Sequence, residues 1–141
     1  MAAPIDSPLL PGVDATAIEK PMLFFLASED NSITELGNNL LRNNFDDLPA
    51  PAWKIELEDA GHWSFTDICN ITDALKAGCG MDERQTEAGE TFTYLDINIA
   101  RDITADALAA FFAHQLRGEG DALLQLETPH RSGASTIEQH D

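Results

Sequence analysis

Basic residues are scarce in this chain of 141 residues: 8 Lys+Arg stand against 25 Asp+Glu, a formal net charge of −17. Nucleic-acid binding draws most of its affinity from cations that neutralise phosphates, so this balance excludes a nucleic-acid partner. It disfavours anionic membrane surfaces for the same reason. Long apolar runs are also missing. The longest, Met22 to Ala27, falls far short of the roughly 18 residues of a spanning helix, so no membrane span is expected. The N-terminus MAAPIDSPLLPG has no basic segment followed by an apolar one, hence no secretory signal, and the compartment stays open. Two cysteines, Cys69 and Cys79, are too few for a disulfide scaffold and lack CxxC spacing. No pair of His, Cys or acidic residues shows ligand spacing, so neither a metal nor another cofactor is implied.

What is present is a domain-sized globular chain with 43% hydrophobic residues. Residues 1–20 carry Pro4, Pro8 and Pro11 too close together for a helix or central strand, and read as an irregular lead-in. Met22-Leu23-Phe24-Phe25-Leu26-Ala27 is apolar without alternation, the pattern of a strand buried on both faces within a parallel sheet. Ser32 followed by Glu35 makes a capping box, and Ile33, Leu36, Leu40 and Leu41 form a helical stripe to about Asn43. Trp53-Lys54-Ile55-Glu56-Leu57-Glu58 alternates, which predicts a strand with one wet face.

Strand, helix and strand make a βαβ unit, whose right-handed crossover leaves the strands parallel. Further on, Phe65 to Lys76 reads as a helix with Ile68, Ile71 and Leu75 on one face. Thr91 to Leu95 is a short strand or the approach to the last helix. That helix, Ile103 to Arg117, is closed by Gly118 and has His114 as a structural residue. Residues 127–141 look like a frayed, disordered tail in which His130 and His140 are solvated.

Parallel strands end at a common edge, where open α/β sheets place their sites. Asp30 follows the first strand and Gly61-His62 follows the second. A carboxylate beside an imidazole is an orienter beside a base: it accepts the Nδ1 proton and stabilises the imidazolium formed when Nε2 takes a proton. Glu29 is the competing carboxylate, and Asp30 has an alternative role as part of the helix cap. Trp63 and Phe65, next to the histidine, line either a substrate pocket or the core.

Ala27-Ser28-Glu29-Asp30, the capped helix, the alternating strand and Asp59-Ala60-Gly61-His62-Trp63-Ser64-Phe65-Thr66-Asp67 together resemble the C-terminal half of an α/β-hydrolase. The nearest group is that of dienelactone hydrolases, cutinase-like esterases and platelet-activating-factor acetylhydrolases. In that family the acid lies in a G-x-x-D turn, here with Ala27 in the glycine place, and the histidine in an A-G-H turn, here Ala60-Gly61-His62. The exit Gly118-Glu119-Gly120 is similar to the family's last helix end, and the resemblance spans residues 18–126.

The resemblance implies an α/β fold over 21–126 and a Ser-His-Asp ester hydrolase that needs no cofactor, with His62 as base then acid and Asp30 as orienter. Cys69 and Cys79 lie ten residues apart, and a disulfide and two free thiols both remain open; oxidation would mark an exported parent enzyme. One family element is absent. None of Ser7, Ser28, Ser32, Ser64, Ser132 and Ser135 lies in the G-x-S-x-G elbow that exposes a nucleophile. The expectation is therefore an incomplete sheet from a truncated or split gene, its β-edge needing a complementing N-terminal half or a second copy. A non-catalytic binding or complementation module is the alternative.

Overall fold

A computed structural model of the chain describes residues 15–28, 34–49, 51–66, 80–83, 89 and 91–140. β1 (Met22–Ala27) and β2 (Ala52–Leu57) pair parallel, Met22 opposite Ala52 through Ala27 opposite Leu57. The helix α1 (Thr34–Asp47) lies between them in the chain, as the βαβ reading requires. Then come a 3-10 turn (His62–Phe65), a small antiparallel pair of β3 (Met81–Glu83) and β4 (Thr91–Thr93), and the helices α2 (Ile97–Arg117) and α3 (Gly120–Leu126). The last element, β5 (Ser135–His140), runs antiparallel to β2, so the sheet order is β1-β2-β5. The fold is thus α/β with a small mixed sheet.

The run without alternation in β1 has a direct cause in this layering. Leu23, Phe25 and Ala27 join Trp53, Ile55 and Leu57 in a core with Ile103, Ala107 and Phe111 of α2. Met22, Phe24 and Leu26 point the other way, onto Leu41, Phe45 and Leu48 from α1 and its exit. A strand between two helical layers has no face left for polar residues.

Several expectations change. Of the expected stripe Leu41 is buried, but Leu36 is 65% exposed; Asn38 and Phe45 turn inward beside Leu41, with Leu48 just beyond the end of α1. Asn38 Nδ2 donates to the Ala27 carbonyl at 2.8 Å, so a polar residue ties the helix to the end of β1. Asp96 opens α2 at Ile97, not 103, by accepting from the Asn98 N–H at 2.8 Å. At its other end Gly118 adopts φ 69°, and its N–H donates to the His114 carbonyl, the left-handed stop that the sequence announced.

The supposedly wet face of β2 is covered. Lys54 is 7% exposed, its Nζ 2.9 Å from Glu138 Oε1 and 4.9 Å from the Phe45 ring centre. Glu56 accepts from Arg42 of α1 at 2.9 Å. Alternation predicted two different faces correctly, but Lys54 and Glu56 lie under α1 with their charges paired, and of the three charged residues of the run Glu58, just past β2, is the one left exposed.

The tail is likewise no frayed end. Ser135–His140 forms six register pairs with β2, Trp53 Nε1 donates to Gln139 Oε1 at 3.2 Å, and His140 Nε2 lies 2.7 Å from the Phe45 carbonyl. His140 is therefore anchored, not solvated. β1 is an edge strand, paired only with β2 among the described residues, yet it is not exposed as expected of an incomplete sheet: its six residues are at most 2% exposed in this chain alone.

Candidate active site at the carboxyl edge of the sheet

Ala27 and Leu57 end their strands side by side, and the Ser28 N–H extends the ladder by one bond to the Leu57 carbonyl at 3.0 Å. The chain leaving β2 is then held from two sides. Glu58 N–H donates to the Ala134 carbonyl at 3.0 Å, and the Asp59 carbonyl accepts from Leu95 N–H at 2.7 Å. Asp59 has φ 52°, a left-handed conformation that Asp tolerates better than most residues. This bend sends Ala60 and Gly61 inward and delivers His62 to the surface at the start of the 3-10 turn.

The turn closes on itself. Ser64 is buried, and its Oγ accepts from the Gly61 N–H at 3.0 Å, while the Trp63 carbonyl accepts from both the N–H and the hydroxyl of Thr66. That bond gives Ser64 a structural task and, with its burial, makes it a poor nucleophile. His62 is exposed, with its ring edge-on to Trp63 at 4.9 Å. An exposed imidazole on a braced turn can exchange protons with a bound molecule.

Of the other site residues read from sequence, Asp30, Cys69 and Cys79 lie outside the described residues, as do Ile68, Ile71 and Leu75 of the helix expected after the histidine. Phe65 is half-buried, 6.3 Å from Phe25 between ring centres. It also lines a cavity of about 200 Å³ with Thr66, Ile97, Arg101 and Leu108. Trp63 is not among that cavity's lining residues; it packs beside His62. Phe65 thus serves core and cavity wall together.

Nothing in the sequence pattern points to the loop that shares this edge. Because β5 is antiparallel to β2, Ser135 stands opposite Leu57, and residues 127–134 arrive at the carboxyl edge too. His130 is part of that loop's framework, not a solvated tail residue. Its Nδ1 lies 2.8 Å from Ser132 Oγ and accepts from the Ser132 N–H at 3.3 Å, while Ser132 Oγ accepts from the Ala134 N–H at 3.2 Å. One assignment satisfies all three contacts: the Ser132 hydroxyl donates to Nδ1, which leaves Nε2 as the ring's N–H. Below this loop a cavity of about 490 Å³ opens between the β2–β5 face and the helices α2 and α3.

No family model, curated protein or solved structure matches the chain. Among the described residues no helix is long and apolar enough to cross a membrane.

Proposed function

We propose that the chain carries the acid–base half of a carboxylic-ester hydrolase of the α/β-hydrolase kind. His62 is the general base and then the general acid, Asp30 its orienter, and the serine nucleophile comes from outside these 141 residues. The observation that carries the reading is the parallel β1–β2 pair with His62 exposed on a braced turn just past the end of β2. Asp30 enters by sequence position, two residues beyond Ser28. The outside nucleophile rests on the missing elbow, since the buried β1 removes the open-edge argument.

In this scheme His62 takes the serine proton as the oxygen attacks the ester carbonyl, and returns it to the departing alkoxide; water then repeats the cycle on the acyl-enzyme. The acidic surface favours a neutral ester over an anionic one. The test begins with the chain alone, which should neither hydrolyse p-nitrophenyl acetate nor take a fluorophosphonate label. Labelling of Ser28, Ser64 or Ser132 would overturn the missing nucleophile. If the DNA upstream encodes an in-frame G-x-S-x-G and the longer product is active, His62→Ala should lower kcat by about 10³-fold or more. Unchanged turnover would remove His62 from the mechanism.

The cavity of about 490 Å³ favours a second reading, a binding module that holds a ligand without converting it.

A further inference from the structure

The large cavity is independent of His62. Its volume, about 490 Å³, lies within the usual range for small-molecule sites. Ile55 and Ile137, opposite one another on β2 and β5, form its sheet side, and Ile103 and Ala107 of α2 with Leu124 of α3 form its helix side. Leu124 is 67% exposed, so an aliphatic side chain is left open to water at the mouth. An apolar lining of this size gains free energy by covering itself with a hydrocarbon chain.

Charge at the cavity chooses the head group. Asp106 on α2 and Asp121 at the start of α3 both line it, both are exposed, and among the described residues neither forms an ion pair. Arg131 of the 127–134 loop is the one arginine or lysine among the described lining residues. His130 lines the same wall and holds Ser132 through Nδ1. Two carboxylates against one guanidinium, within a chain of net charge −17, raise the local concentration of cations and repel anions.

We propose that this cavity binds a small single-chain amphiphile with a cationic head: the alkyl chain lies on Ile55, Ile103, Ala107 and Ile137, and the ammonium group lies at Asp106 and Asp121. A carboxylate of the same length would have only Arg131 to answer it. An alcohol would gain the apolar contact alone.

The test titrates the full chain with octylammonium, octanol and octanoate, each below its aggregation concentration, and follows backbone amide shifts by NMR. Saturable binding is expected with shifts centred on Ala107, Leu124 and Ile137, octylammonium tightest and octanoate weakest. Asp106→Asn with Asp121→Asn should weaken octylammonium about 3- to 10-fold and leave octanol unchanged. Leu124→Ala, at an exposed position that does not threaten folding, should weaken all three by roughly 3-fold. Failure of all three to saturate would overturn the site, and octanoate or octanol binding as tightly as octylammonium would overturn the cationic head group.

Discussion

Glu138→Gln tests whether β5 belongs to the sheet or merely lies against it. Lys54 is 8% exposed in its side chain, while Glu138 is 59% exposed, so the pair has one buried and one wet partner. Removing one member of a fully buried pair costs about 3–5 kcal/mol, and of a surface pair about 0–1 kcal/mol. The exposed carboxylate places this pair between those limits, at about 1–2 kcal/mol, because among the described residues Lys54 would keep only the Phe45 ring as a charge partner. At about 2–4 °C per kcal/mol for a chain of this size, the melting temperature should fall by about 2–8 °C.

Lys54→Met removes the cation and its desolvation cost together, and should stay within about 1 kcal/mol of the parent. The double variant should then cost less than the sum of the singles, a coupling visible in a mutant cycle by urea unfolding. Hydrogen exchange of the β5 amides should accelerate in Glu138→Gln before that of β1. A Glu138→Gln protein with unchanged melting and unchanged β5 exchange, or additive single effects, would refute the Lys54–Glu138 pair and with it the docking of β5.

Three further outcomes are expected in urea unfolding. Ser64→Ala strips the buried Gly61 N–H of its acceptor and should cost about 1–3 kcal/mol, an effect on the His62 turn that has nothing to do with a nucleophile. Gly118→Ala puts a Cβ on a residue at φ 69° and should cost about 1–2 kcal/mol, although open space surrounds the position. Ser135 Oγ is buried with no hydrogen-bond partner among the described residues, so Ser135→Ala should raise stability by about 1 kcal/mol; a loss instead would mean that the hydroxyl has a partner after all.

Wherever the physics was local, the residues could be read directly. The βαβ unit follows from a run without alternation, a helix and an alternating run, and the close of α2 follows from Gly118. His62 was legible as an edge residue because its position depends only on where β2 ends. The helix stripe was harder: Leu36 fits the period as well as Leu41 does, yet only Leu41 meets the sheet, while Asn38 is drawn inward by the Ala27 carbonyl. Periodicity gives the angle between residues on a helix but not which side the sheet will be on.

The sequence by itself determined the acidic surface, the parallel pair and the absence of a nucleophile elbow, since each is a matter of composition or of neighbours along the chain. Only the tertiary structure decided that Lys54 is buried, that residues 135–140 are a strand, and that a cavity opens beneath their loop. STIEQH has a single strongly apolar residue and no pattern of its own. Its order comes from contacts 86 and 95 residues away, Trp53 with Gln139 and Phe45 with His140. Contacts at that separation leave no local signature, because hydrogen bonds and ion pairs select partners by position in space, and that position exists only once the sheet and its helices have assembled.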